Sequence, residues 1–66
     1  MQIHVNGSPT QVMESCTLAD LIATLDLAGR RLAVEVNEAL VPRSRFAQQV
    51  LAPGDRVEII HAVGGG

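Results

Sequence analysis

The sequence ends in three consecutive glycines, Gly64-Gly65-Gly66, directly after a strand-like run from Arg56 to Val63. Glycine has no Cβ and accepts backbone angles closed to other residues, so a glycine tail can pass through a channel too narrow for an ordinary chain. What such a tail delivers is its carboxylate. At neutral pH a carboxylate is a poor electrophile, and it becomes an acyl donor only after one oxygen is turned into a leaving group such as AMP. The chain has no evident machinery for that step, which assigns it to a partner. The expected roles are those of a protein substrate: Gly66 is the modified residue, Gly64 and Gly65 thread a partner's active site, and the chain supplies neither catalytic residues nor a metal site.

The rest of the sequence must hold this tail in place. Sixty-six residues make one domain, of a size whose core buries only about 60% of the unfolded chain's surface. Apolar residues make up 47%, yet Phe46 is the only aromatic, so the core is aliphatic and leaves little room for an internal substrate pocket. With a net charge of −2 and no aromatic platform, the chain lacks the basic stripe and stacking rings of a nucleic-acid binder. All five cations are arginine, so no side-chain amine can attack the chain's own activated terminus. The single cysteine, Cys16, excludes an internal disulfide or a multi-thiolate metal site and suits a reducing cytosol. No stretch approaches the ~20 apolar residues of a membrane span, and the N-terminus shows no secretory leader. The expected location is the cytoplasm, with neither nucleic acid nor membrane as a partner.

Along the chain, Gln2-Ile3-His4-Val5 alternates polar and apolar, and Asn6-Gly7 is a strong hairpin signal, with a second strand expected over residues 10–14. Leu18, Leu21, Ile22 and Leu25 then recur at the spacing of one helical face. Thr17 and Asp20 resemble a capping box at its start, and Gly29 supplies a stop. Leu32–Val36 reads as a strand, Asn37-Glu38 as a turn into Ala39-Leu40-Val41, and the segment from Arg43 to Val50 as a turn or short 3₁₀ segment. Pro53-Gly54-Asp55 turns the chain into its last strand. One helix covers one sheet face, which predicts an α+β fold with strands alternating apolar inward and polar outward. A mixed sheet whose first and last strands lie side by side and parallel is a β-grasp. That arrangement sets a domain over residues 1–63, with the glycines 64–66 as a flexible tail at the end of a central strand.

Strand parity sorts the remaining candidates. In the last strand Arg56, Glu58, Ile60 and Ala62 should face away from the helix, which places Ile60 on the open sheet face beside the tail. Ile60 and Val63 are therefore the candidate partner contacts. His4 and His61 should face opposite sides of the sheet, so no metal site is expected from them. Cys16 precedes the helix, where a dipole can lower a thiol pKa, although a lone thiol in that place usually packs. Arg43 and Arg45 read as solvated loop charges.

Taken in order, several segments resemble the ThiS family, the small sulfur carriers of thiamin biosynthesis. They are Asn6-Gly7, Thr17-Leu18-Ala19-Asp20-Leu21, Ala33-Val34-Glu35-Val36-Asn37, Val41-Pro42-Arg43-Ser44, and Gly54-Asp55-Arg56-Val57-Glu58-Ile59-Ile60 running into Gly65-Gly66. The resemblance spans the whole chain and implies a ubiquitin-like β-grasp fold. It also implies that Gly66 is adenylated at the expense of ATP by an E1-like adenylyltransferase of the ThiF type, with no cofactor bound by the carrier. Cysteine-derived sulfur, relayed by a desulfurase or persulfide, would displace AMP to leave a thiocarboxylate, which a thiazole synthase of the ThiG type would consume. The family's tail commonly ends in two glycines, so Gly64 is an extra one. A MoaD-like carrier for molybdopterin synthesis, a ubiquitin-like modifier forming isopeptide bonds, and a β-grasp binding or regulatory module are the alternatives that the same residues allow.

Overall fold

The structure is a computed structural model that describes residues 1–61. Its strands are β1 (Gln2–Val5), β2 (Ser8–Gln11), β3 (Leu32–Val36), β4 (Ala39–Val41) and β5 (Arg56–His61), with one helix, α1 (Leu18–Thr24), among the described residues. A short 3₁₀ turn spans Arg43–Arg45. The sheet order is β2-β1-β5-β3-β4. β5 is central, running parallel to β1 and antiparallel to β3. This is the β-grasp arrangement the element order predicts.

The first hairpin turns on Asn6 and Gly7, with φ of 50° and 85°. Both values lie in the left-handed region that a type I′ turn requires and that Asn-Gly adopts readily. A two-residue turn resumes pairing at once, so Val5 pairs with Ser8 and β2 occupies Ser8–Gln11 rather than residues 10–14. Pro9 is tolerated there because β2 lies at the sheet edge, where a missing N–H removes no inner ladder bond. Val12 still packs against the core just beyond the strand.

The capping box is present in full. The Thr17 hydroxyl accepts from the Asp20 N–H at 3.1 Å, and the Asp20 carboxylate accepts from the Thr17 N–H at 3.0 Å. The helix ends at Thr24, five residues before the expected glycine stop. Asp26, with φ 61°, takes the left-handed position that glycine usually fills. Its N–H donates to the Ala23 carbonyl and the Leu27 N–H to the Ile22 carbonyl, both at 3.0 Å, which is the Schellman closure. The chain thereby returns Leu27 to the core and leaves Leu25 at 38% exposure, off the buried face to which its spacing assigns it. Gly29 serves the next turn, with φ 83°.

Leu18, Leu21 and Ile22 of α1 pack on Ile3, Val34 and Val57 of the three inner strands, all of them buried. The segment after the 3₁₀ turn closes the other end of the core. Its Phe46 and Gln49 carbonyls accept from the Ala19 and Leu18 N–H groups at 3.0 and 2.8 Å, so the first turn of α1 is satisfied by chain rather than by water.

Candidate functional site: the end of β5 and the open sheet face

Alternation along β5 divides its side chains between two environments. Val57 and Ile59 face α1 at 1% and 6% exposure, whereas Ile60 stands on the open face at 55%. Its cross-strand neighbour there is Ala33, and one step back Glu58 lies directly opposite Glu35. The outward direction expected for Ile60 is thus what the fold produces. Val63, Gly64, Gly65 and Gly66 lie outside the described residues, as does Ala62. The last described position, His61, pairs with Leu32 at the start of β3. His4 sits beside Arg56 in the parallel ladder, while His61 has the parity of Ile59, so the histidines point to opposite faces as expected. Among the described residues no group of three or more His, Cys, Asp or Glu side chains is placed to hold a metal ion.

Two asparagines fix β5 at its two ends. The Asn6 side chain accepts from the Ile59 N–H at 2.7 Å and donates to the Ile59 carbonyl at 3.2 Å, extending the β1 ladder past the end of that strand. Asn37 does the corresponding work at the start of β5. Its carboxamide accepts from the Arg56 N–H at 2.9 Å and donates to Asp55 at 2.9 Å, while its own N–H donates to the Arg56 carbonyl at 2.7 Å. Both asparagines occupy left-handed turn positions, with φ of 50° and 52°. Sequence reasoning recognises them as turn formers and misses this second role. For Asn6 the partner lies 53 residues away, where no local pattern reaches.

The open face between β5, β3 and the Asn37-Glu38 turn forms a concavity of about 510 Å³ that includes Glu35, Glu38, Arg56, Glu58 and Ile60. Its carboxylates and its isoleucine suit a protein surface better than a small apolar ligand, since small-molecule pockets are mostly apolar walls with a few polar groups.

Cys16 belongs to the core. It is 9% exposed, and its thiol donates to the Thr17 carbonyl at 3.4 Å. Burial pushes the thiol pKa up, and the Asp20 charge adds to that shift. Both effects oppose thiolate formation, so the packing reading holds over the nucleophilic one. Asp20 behaves oppositely: the bond from the Thr17 N–H, then the one from the Thr17 side chain, holds its carboxyl below the ordinary carboxylate range.

A five-stranded mixed sheet packed on one helix, with β5 central and parallel to β1, defines the ubiquitin-like β-grasp class. The sequence profile of the ThiS family matches residues 3–66. The chain belongs to the ThiS family. It is 30% identical over 66 residues to the sulfur carrier protein ThiS of Escherichia coli, covering 100% of both chains. The crystal structure of the thiamine biosynthesis protein ThiS from Geobacter metallireducens superposes with a TM-score of 0.85 at 33% identity, again over 100% of both chains. A thiazole synthase from Magnetococcus marinus is 39% identical over 66 residues, which are 100% of this chain and 20% of that protein. The chain thus spans about a fifth of the length of that relative. No helix among the described residues is long and apolar enough to cross a membrane.

Proposed function

We propose that this chain is a sulfur carrier of thiamin biosynthesis that bears its sulfur as a thiocarboxylate on Gly66. The observation that carries the reading is the ThiS-family match running through residue 66. In the first step a Gly66 carboxylate oxygen attacks the α-phosphorus of ATP, pyrophosphate leaves, and an acyl-adenylate forms. A sulfur nucleophile derived from cysteine then adds to the acyl carbon and expels AMP; where the donor is a persulfide, a thiol attacks the donor's sulfur in the resulting acyl disulfide, forming a disulfide with the donor and releasing the thiocarboxylate. Transfer of that sulfur to a thiazole precursor, with an oxygen from the precursor or from water taking its place on the acyl carbon, returns the carboxylate. The first step exchanges a group at the α-phosphorus and the later ones at the terminal acyl carbon, and the carrier needs only to present that carboxylate.

In this reading the labour is divided between the carrier and its partners. The fold holds β5 rigid through Asn6 and Asn37, and the glycines supply reach. A ThiF-type adenylyltransferase supplies the ATP site, a desulfurase or persulfide protein the sulfur, and a ThiG-type synthase the acceptor. The synthase partner is supported by the Magnetococcus marinus thiazole synthase, whose sequence includes a segment matching all of this chain. Ile60 and Val63 contact these enzymes, and Gly64 and Gly65 thread their active sites.

ATP–pyrophosphate exchange with the ThiF-type enzyme tests the proposal. Deleting Gly66 withdraws the carboxylate by up to about 3.6 Å, and adding a bulky residue after it obstructs a site shaped for glycine. Both variants should lose exchange while their melting temperatures match the parent. Full exchange by both would reject the role of Gly66.

A further inference from the structure

Four of the five arginines fall in two short segments, Arg30-Arg31 and Arg43 with Arg45. The fold joins the two segments. The Arg43 guanidinium donates to the Arg30 carbonyl, which holds the 3₁₀ turn against the loop before β3. Arg31 and Arg43 share one concavity of about 560 Å³ with Gly29, Leu32 and Ala33, and no carboxylate side chain among the described residues lines it. Arg31 directly precedes Leu32, the partner of His61. Arg30 and Arg43 also line a neighbouring concavity, so three exposed arginines are grouped beside His61, the last described residue of β5. The carboxylates of Glu35, Glu38 and Glu58 lie around a different concavity, toward the start of β5.

We propose that Arg30, Arg31 and Arg43 form a cationic collar at the root of the tail, which docks on a carboxylate-bearing rim around the mouth of the activating enzyme's channel. The proposal rests on the tail-activation reading above. Chain length decides between an acidic protein rim and the nucleotide phosphates as the collar's partner. Five residues follow His61, and a chain extended through a channel covers about 3.3–3.6 Å per residue, so the reacting carboxylate stands about 17 Å beyond the root. Arginine side chains anchored at the root fall well short of phosphates bound there. They meet instead the protein surface that surrounds the entrance. Guanidiniums pair bidentately with carboxylates, and opposed charge at an interface edge accelerates and orients encounter. An apolar patch of Ile60 and Ala33 lies on the same side of the tail root, so the collar adds direction to a contact that apolar burial alone would leave loosely oriented.

The test measures association of the carrier with the purified ThiF-type enzyme of the same organism over a range of salt, beside pyrophosphate exchange. The variants are Arg31→Glu and the triple Arg30→Gln/Arg31→Gln/Arg43→Gln. Arg45→Gln, an exposed arginine outside the concavity shared by Arg31 and Arg43, is the control. Loss of steering charge should slow association by about tenfold at low salt, with the gap closing as salt screens the interaction. Among the described residues Arg31 makes none of the hydrogen bonds that hold the loop, so Arg31→Glu keeps the result readable if the triple variant melts early. The control should match the parent. Equal, salt-independent rates for the parent and both collar variants would overturn the collar while leaving the exchange reaction intact. Absence of exchange by the parent chain would instead overturn the tail-activation reading and the collar with it. Binding of free ATP by the carrier alone, lost in the collar variants, would assign the arginines to nucleotide and also overturn the rim.

Discussion

Ile59 and Ile60 are the same residue type at successive positions of one strand, yet the sheet gives them opposite environments. Ile59 is 6% exposed against α1, and Ile60 is 55% exposed on the uncovered face. Strand alternation alone produces the difference. It separates what holds the domain together from what the domain shows to others, so a carrier of this size can be rigid at the root of its tail and still keep an open surface. The covered face carries a continuous aliphatic core from Ile3 through Val34 to Val57. The open face carries isolated apolar side chains among carboxylates, including the directly opposed pair Glu35 and Glu58. Like charges facing each other across strands are unfavourable for folding, so this face is not optimised for stability.

Substitutions can break that contrast. Ile59→Ala should have the largest effect, removing about 2–4 kcal/mol of stability by lost burial and a cavity. For a chain of this length total stability is on the order of 3–10 kcal/mol, so chemical denaturation should show a large shift in midpoint with little change in slope. A shift as small as that of an exposed site would mean that β5 is not packed as described.

The next effect comes from the edge between the two regions. Asn6→Gly keeps the left-handed turn but removes both side-chain bonds to Ile59, and should cost about 1–2 kcal/mol. Asn6→Ala adds the left-handed backbone penalty, about 1 kcal/mol more. Equal losses for both would show that the carboxamide bridge alone, not the turn geometry, sets the cost, whereas a glycine variant as stable as the parent would remove the bridge from the account. Hydrogen exchange at the Ile59 amide gives the local reading, and it should accelerate in both variants.

A smaller effect is set by pH. The folded Asp20 carboxyl has a lowered pKa, so its contribution is full above the ordinary carboxyl range, near pH 4, and disappears as pH falls through the lower folded value. Asp20→Asn should therefore flatten the acid limb of stability below about pH 4 while leaving the alkaline side unchanged. An acid limb identical to that of the parent would mean that the capping carboxylate does not couple to folding.

Ile60→Glu should have the smallest effect on folding, within about 1 kcal/mol, because the side chain stays in water. Its effect on binding should be large, since an interface that covers position 60 must bury an unpaired carboxylate. Titration against the activating enzyme and thiazole synthase separates the two. Unchanged affinity for both enzymes would remove the open face from the account.

Much of this contrast is legible in the residues, because it rests on periods of two and of about four. The alternation in Gln2–Val5 and Arg56–Ile60, the Thr17–Asp20 cap and the Asn6-Gly7 turn are local patterns with local causes, and each appears in the fold. What escapes the sequence has another origin. The helix stop depends on Asp26 accepting a left-handed conformation so that Leu27 can reach the core, a choice made by tertiary packing over the stronger signal of Gly29. The early start of β2 depends on how tightly the Asn6-Gly7 turn closes. The carboxamide bridge from Asn6 to Ile59 and the meeting of Arg31 with Arg43 join distant segments, and only the folded chain brings them together. The site is legible in kind through its glycines and family motifs, while its surroundings are not.

Mass analysis of the intact chain, isolated from cells starved of thiamin, tests the central claim most directly. The account predicts a fraction heavier by the exchange of one oxygen for sulfur, with fragmentation placing the change at Gly66, and its disappearance when the activating enzyme is deleted. A chain that carries only a plain carboxylate under that demand would contradict it.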